Sequence, residues 1–526
     1  MIHRCAYSAV LAGFATLLYG CSVGPDFERP QPPKATRYSP QPLAEQTASA
    51  NVALGESQHF DAKMEIPYDW WTLFQSEQIN ALIQKAYQAN PDIESAQAAL
   101  RQAQEFANAQ QGYFYPTVTA SYSPSRSKLA GNMGGNSPGV QGNGRVIQTY
   151  ANPAGPKFNG PAYYNFHVAQ LTVGYVPDVF GLNRRQLEST QAQLDNQKLQ
   201  LEATYLTLAS NVVAAAIQEA SLRAQLDAVQ RIIAIDQESM EILRKQFQLG
   251  FVSGMEVAAQ EYALASAEQS LPPLNKQLDQ TRNLLRALVG ATPDQALEQT
   301  FTLASLQLPQ QLPLSLPSKI VEQRPDVRAA EAQLHYASAQ AGVAIANTLP
   351  QFVISAGLGG MASTPDWMFR TGGGFFNLAA SVSQTLFDGG TLRARSRAAE
   401  QALLQAGAQY RSTVISALQN VADALYTVHS DANALQAAAK TVAAAQAMYE
   451  LSRKQYQVGQ IDYLSRLIAE QNFQAANINL IQAQTNRLGD TAALFQALGG
   501  GWWNRHNATA TPPSASASAV PASASH

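Results

Sequence analysis

Residues 184–248 contain neither proline nor glycine. That is about 65 residues, so a helix over them would be roughly 98 Å long at 1.5 Å per residue. A helix of that length is stable only with neighbours along it, and its apolar residues say where they lie. Leu187, Leu194, Leu201, Leu208, Ala215, Leu222 and Val229 recur every seven residues, and so do Ala192, Leu199, Leu206, Val213 and Ala220. The two rows are five residues apart, about 140–155° around the axis at 3.5–3.6 residues per turn. The helix therefore expects a neighbour on each side, as a stave has in a cylinder; a filled bundle is the alternative. A second run of similar length, 392–457, carries Val414, Val421, Val428, Leu435, Val442 and Tyr449 in one row. Leu418, Leu425, Ala432 and Ala439 form an adjacent one.

The chain is also written twice. Asn90-Pro91-Asp92-Ile93 recurs as Arg324-Pro325-Asp326-Val327, and at the same spacing Leu100 matches Leu334 and Pro116 matches Pro350. The segment 179–184 returns, with a small insertion, as 386–393. Arg244-Lys245-Gln246-Phe247-Gln248-Leu249-Gly250 returns as Arg453-Lys454-Gln455-Tyr456-Gln457-Val458-Gly459. Each copy predicts one plan: helix, strand, loop, strand, very long helix, glycine turn, helix. Pro91 and Pro325 suit the first turn of a helix, and Pro116 and Pro350 mark the switch to a strand. The expected divisions are an export signal (1–20), an N-terminal segment (21–89), the first copy (90–290), a linker (291–323), the second copy (324–498) and an end segment (499–526). The Ser/Ala/Pro tail from 507 reads as disordered.

The strands alternate. Phe376, Leu378, Ala380 and Val382 share one face, opposite Asn377, Ser381 and Ser383; Phe352, Ile354 and Leu358 oppose Ser355 and Gly359. A period of two with one apolar side suits a barrel with lipid outside and water inside. The pair 117–123 and 164–176 is less regular, and the Gly/Asn/Ser/Pro stretch at about 125–162 reads as a mobile external loop. Four strands close no barrel, and lipid tolerates no open sheet edge. Two chains would give a side-chain-filled barrel of eight strands; three give twelve and leave room for a pore.

The N-terminus reads as an export signal, with His3 and Arg4 before an apolar run at 9–18 that is too short to span a bilayer. Leu18-Tyr19-Gly20-Cys21 resembles a lipobox, although Tyr19 is bulkier than usual there, and Ser22 after the cysteine favours outer-membrane sorting. Cys5 leaves with the signal, so the mature chain holds one cysteine and forms no internal disulfide. Acylation of Cys21 removes an unpaired thiol from an oxidising compartment; an ordinary cleaved signal is the alternative. No segment has 18 consecutive apolar residues, so whatever crosses a membrane here is a β-barrel. Charged residues are 14%, against about 25% in ordinary soluble domains, which suits a surface covered by partners or lipid. A net charge of −3 gives no footprint for nucleic acid.

The motifs place the resemblance. Residues 21–30 (Cys-Ser-Val-Gly-Pro-Asp-Phe-Glu-Arg-Pro), Trp70-Trp71, Asn90-Pro91-Asp92, Ala497-Leu498-Gly499-Gly500-Gly501-Trp502 and the duplicated blocks resemble the outer-membrane factors of the TolC/OprM type, in their NodT-like lipoprotein branch. The match covers nearly all of 21–503. It implies a mixed α and β fold: a homotrimer with a twelve-stranded outer-membrane β-barrel, four strands per chain, continuous with a twelve-helix periplasmic α-barrel. An equatorial belt would take the segments near 22–90, 290–320 and 490–506. It implies a passive exit duct for drugs, solvents or other toxic compounds, partnered by a periplasmic adaptor and an inner-membrane pump of the RND type. The duct of a type I protein secretion system is the alternative. The lipid on Cys21 would be an N-acyl and a diacylglycerol group, and no cofactor is expected. Adaptor contact falls to the tips Leu249, Gly250, Phe251 and Val458, Gly459, Gln460. Glycine permits the chain reversal at each; a turn glycine with no contact role is the plainer reading.

Such ducts close by inward-leaning helices held by polar contacts, in some members with an aspartate ring. Ser465 and Ile468 occupy the corresponding places here, so Asp462 and Arg466 become the candidate gate, or else a solvated helix start. No enzyme is expected. His59, His167, His335 and His429 are isolated, no Cys/His metal spacing exists, and the groups of His429-Ser430-Asp431 do not face one another on a helix. The Gly clusters at 131–144 and 372–374 lack a phosphate loop's lysine, and Asn507-Ala508-Thr509 matches a glycosylation sequon only formally. A purely scaffolding coiled coil would leave the amphipathic strands unexplained.

Overall fold

A computed structural model describes residues 22–42, 44–128 and 163–505. The export signal, Cys21, residues 129–162 and the tail with Asn507 lie outside the described residues. In chain order the elements are β1 (His59–Asp61), α1 (Glu77–Ala89), α2 (Pro91–Gly112), β2 (Thr117–Lys128), β3 (Tyr163–Tyr175), α3 (Leu182–Gln248) and α4 (Gly254–Leu288). Then come β4 (Gln311–Pro313), α5 (Pro317–Gln323), α6 (Pro325–Ala346), β5 (Gln351–Ala362), β6 (Gly374–Ser383), α7 (Thr391–Gln457) and α8 (Tyr463–Ala497). The duplication holds element by element: α2 and α6 have 22 residues each, α3 and α7 have 67, and α4 and α8 have 35. Among the described residues no helix is long and apolar enough to cross a membrane.

Two compact units divide the chain. The first takes Met1–Arg29, Arg101–Asp195 and Ala332–Ala408. Its sheet runs β2-β3-β5-β6, antiparallel throughout. The register puts Val118, Ala120, Leu171, Val173, Ala356, Leu358, Phe376 and Leu378 on one side, and Thr119, Ser121, Gln170, Thr172, Ser355, Asn377 and Ser381 on the other. β2 and β3 follow this alternation only near the end where β3 leaves the sheet. Farther along, His167, Asn165 and Arg126 fall on the apolar side and Val168 and Phe166 on the polar one, so this pair is the less regular, as expected. Residues 125–128, expected in the loop, continue β2, paired with 163–166. Pro124 lies in β2, which borders the four-stranded sheet on one side only, the position where a strand tolerates proline.

Each long helix is capped by the same device. The Asp178 carboxylate accepts from the backbone N–H groups of Asn183 and Arg184 at 2.9 and 3.0 Å, and Asp388 accepts from those of Gly390 and Leu392 at 2.8 and 2.7 Å. An acid there meets the positive end of the helix dipole. Arg185, 3% exposed, pins residues 23–26. It donates to Val23 O (3.0 Å), Gly24 O (3.3 Å) and Asp26 Oδ1 (2.6 Å) and pairs with Glu188 at 2.8 Å. Gly24, at φ +92°, lies so close to Gly342 that a Cβ would come within 2.5 Å of its Cα. Phe27 stacks on His335 at 4.3 Å, and His335 in turn bonds Glu188 at 2.9 Å.

The second unit takes Pro30–Leu100, Asn196–Glu331 and Gln409–His526. The repeated X-Pro-Asp motif does one job twice. Asn90 Nδ2 donates to Leu288 O at the end of α4 (2.9 Å), and Arg324 Nη1 donates to Ala497 O at the end of α8 (3.0 Å). Both rows of α3 are largely buried within the chain, through Leu201, Leu208, Ala215, Leu222 and Val229 and through Leu199, Val213 and Ala220. On α7 the rows through Val414 and Leu425 merge into one buried stripe. Ile415, Tyr426 and Met448, at steps of eleven and twenty-two residues, stay exposed on another face.

Segments distant in sequence join around α8. β1 pairs in parallel with β4. Trp70 stacks on Phe495 at 5.4 Å, and Trp502 Nε1 donates to Gln323 O at 2.6 Å. Arg487, 1% exposed, donates to Leu54 O (3.1 Å), Glu56 O (2.5 Å) and Thr47 Oγ1 (3.2 Å). Two backbone carbonyls and a hydroxyl thus hold the ends of a buried guanidinium that would otherwise be very costly, leaving its Nε without a hydrogen bond among the described residues.

Candidate functional site: the hairpin tips and their polar clamp

The α3–α4 and α7–α8 hairpins turn by the same hydrogen bonds. Gly250 N donates to Phe247 O (3.0 Å) and Phe251 N to Gln246 O (2.9 Å). Gly459 N donates to Tyr456 O (3.0 Å) and Gln460 N to Gln455 O (2.9 Å). This double closure, with the glycines at φ +79° and +70°, is the helix ending that favours glycine. A Cβ on either glycine meets nothing within 4 Å, so backbone conformation alone selects it. Leu249, Phe251 and Val458 are 71%, 78% and 70% exposed. Three bare apolar side chains at two small turns form a surface open to a partner.

Behind the tips a polar chain joins the two hairpins. Asp236 on α3 accepts from Gln260 Nε2 on α4, at both its carbonyl and its Oδ1 (3.0 Å each). Gln260 Oε1 accepts from the Tyr463 hydroxyl on α8 at 2.6 Å. That hydroxyl accepts from Arg466 Nη2 at 3.0 Å, and Arg466 reaches Glu470 at 3.3 Å. The Arg466 guanidinium lies over the rings of Tyr463 (4.7 Å) and Tyr456 (5.8 Å). Leu243, Ala263, Tyr463 and Leu467 form the apolar cluster around it. Asp236, Gln260, Tyr463 and Glu470 are at most 3% exposed. Burial pushes the carboxyls of Asp236 and Glu470 up, against the pull of Arg466. It also pushes Tyr463 up to about 12, so the phenol keeps its proton and donates. One cation serves two buried acids, and Glu470 Oε2 and Arg466 Nε make no hydrogen bond among the described residues. Such a network is held by mutual support rather than by surplus bonding.

The sequence-derived candidates separate. The tip residues stand together at the two turns. Arg466 lies in the clamp, whereas exposed Asp462 caps α8 by accepting from Ser465 N at 2.9 Å; hydrogen bonding to the Ser465 side chain, and then to its backbone N–H, pulls the Asp462 carboxyl down. Cys21 lies outside the described residues. Asp236, Gln260, Tyr463 and Glu470 went unnoticed in the sequence, yet Asp236 was visible as the polar residue at the next step of the row ending Leu222, Val229. Among the described residues no group of His, Cys, Asp and Glu could hold a metal. His429 stacks on Phe60 at 5.0 Å, while Asp431 meets Asp490.

Paired long hairpins with bare glycine tips, on a chain whose four-stranded sheet has one apolar side, define a channel-type protein of the outer membrane. Residues 82–291 and 316–500 match the family model described as outer membrane efflux protein, and the chain belongs to that family. It is 28% identical over 436 residues to the pyoverdine export outer membrane protein OpmQ of Pseudomonas putida, covering 82% of this chain and 88% of that one. It is 26% identical over 498 residues to the toluene efflux pump outer membrane protein TtgC of Pseudomonas putida, covering 94% and 96%. The solved outer-membrane channel OprN superimposes with a TM-score of 0.78 at 25% identity, over 92% of this chain and 100% of that one. The protein is an outer-membrane efflux channel of the TolC/OprM type.

Proposed function

We propose that the chain is the passive exit duct of a tripartite pump for small toxic compounds, gated at its hairpin tips. The observation that carries this is the pairing of two like, exposed tips with one buried clamp, Asp236–Gln260–Tyr463–Arg466–Glu470, that ties their hairpins together. The tips Leu249, Gly250, Phe251, Val458, Gly459 and Gln460 receive the periplasmic adaptor of an inner-membrane pump of the RND type. The clamp holds the helices closed until they do. The sheet edges β2 and β6 have backbone groups that lipid cannot satisfy. Three copies of the four strands give a closed wall of twelve, and the exposed row Ile415, Tyr426, Met448 meets a neighbouring copy. Cys21 carries the lipid anchor. The duct supplies no driving force, and cargo choice lies with the pump; the relatives' names span pyoverdine and toluene.

The test is a deletion strain assayed for antimicrobial and solvent susceptibility, with its secreted proteins profiled from the same cultures. Sensitisation with a normal secretome is expected. A missing secreted protein with unchanged susceptibility would move the chain to type I secretion.

A further inference from the structure

The β5–β6 loop folds back onto the sheet. A Cβ at Gly360 would stand 2.3 Å from Met368 O and 3.0 Å from Phe369 Cδ1. Gly360 shares a side with Leu358 and Ile354, and its ladder partners are Ala169 and Gly374. Three small residues therefore leave room for the loop on the apolar side. Met368 is buried beneath it, whereas Trp367 and Phe369 are exposed. Between loop and strands lies a groove of about 790 Å3, with Leu171, Leu358, Phe369, Arg370 and Phe376 on its walls. The Arg370 guanidinium lies over the Trp367 ring at 5.3 Å. At the same end of the same side, the Tyr122 hydroxyl meets His167 Nδ1 at 2.8 Å.

An apolar trough with a cation and aromatic rings at one end has the layout of an amphiphile: chains along the strands, headgroup at the rim. We propose that this groove binds an outer-leaflet glycolipid, its acyl chains on Leu171, Leu358 and Phe376 and a phosphate on Arg370. The proposal rests on the reading that the apolar side of the sheet is membrane wall. The groove is continuous with that side, and it opens at the end opposite to the one from which α3 and α7 leave the sheet. That end faces the outer leaflet, whose lipids carry phosphate. Arg370 supplies the complementary charge, and planar guanidinium suits phosphate in two-point contact.

The test is native mass spectrometry of the detergent-purified channel with added bis-phosphorylated lipid A, and with the same lipid dephosphorylated. Wild type should retain the phosphorylated lipid. Arg370→Gln should lower its occupancy about ten-fold, the scale of one lost charge-assisted hydrogen bond. Phe369→Ser should also lower it, and Asp366→Asn, which removes the loop's acid, should raise it. Equal retention by wild type and Arg370→Gln, or equal retention of the dephosphorylated lipid, overturns the site. Normal membrane insertion in that case leaves the membrane-wall reading standing. Recovery of the chain from the soluble fraction without detergent would overturn the reading itself, and the site with it.

Discussion

Replacing Tyr463 by Phe removes one oxygen from the centre of the clamp and leaves the ring, so no cavity opens in the cluster of Leu243, Ala263 and Leu467. Two bonds go with it, the 2.6 Å bond to Gln260 Oε1 and the 3.0 Å bond from Arg466. Gln260 is fully buried, so its oxygen is left without a partner, at a cost of about 1–3 kcal/mol. If the bond exists only while the hairpins are held together, that cost falls on the closed state alone. The opening equilibrium then rises about 5- to 150-fold. Purified channels in planar bilayers give the open probability directly. Gln260→Leu alone should open the channel as well, and the double variant should add little to either single change, because one bond is shared. A Tyr463→Phe channel that assembles normally yet opens no more often than wild type would refute the clamp as the closure.

Arg466→Ala should also raise open probability, since it strands Glu470 at 3% exposure without its cation; Asp462→Ala should remove only an exposed helix cap and leave conductance unchanged. Bilayer recordings of the two variants separate these roles. Leu249→Asp with Val458→Asp changes exposed side chains, so thermal stability should stay within about 0.5 kcal/mol, while drug susceptibility of cells carrying the variant rises to that of the deletion strain. Burial first, and then neighbouring Asp490, pushes the Asp431 carboxyl up to about 7, with Arg487 opposing. A raised acid favours the folded state below its ordinary range and loses that contribution as pH climbs through 7. Wild type should therefore melt lower at pH 8 than at pH 5, and Asp431→Asn should flatten the profile by about 1 kcal/mol, a small figure because water screens a half-buried group.

The two-fold plan was legible because it rests on local rules. Pro91 and Pro325 open helices, Thr117 and Gln351 begin strands directly after Pro116 and Pro350, and Gly250 and Gly459 end the long helices. Backbone dihedrals and missing donors act within a few residues, so the chain states them outright. The sheet was legible in its faces but not its extent: β2 runs on to Lys128 because ladder partners at 163–166 outweigh the Ser/Pro composition of that stretch. The capping role of Asp462 was open to reading from its place beside the tip, and so was the oddity of Asp236 in an apolar row.

What the sequence determined by itself was the repeat, the element order, the long helices with their apolar rows, and the alternation that gives the sheet an apolar side. The tertiary structure alone decided which polar side chains meet. Gln260 and Tyr463 are 203 residues apart, Arg487 and Leu54 are 433 apart, and Arg185 and Val23 are 162 apart. Periodicity shows that a residue faces inward, but a buried hydrogen bond needs its partner within about 3 Å. That distance is set by how the hairpins pack, and no local spacing encodes it.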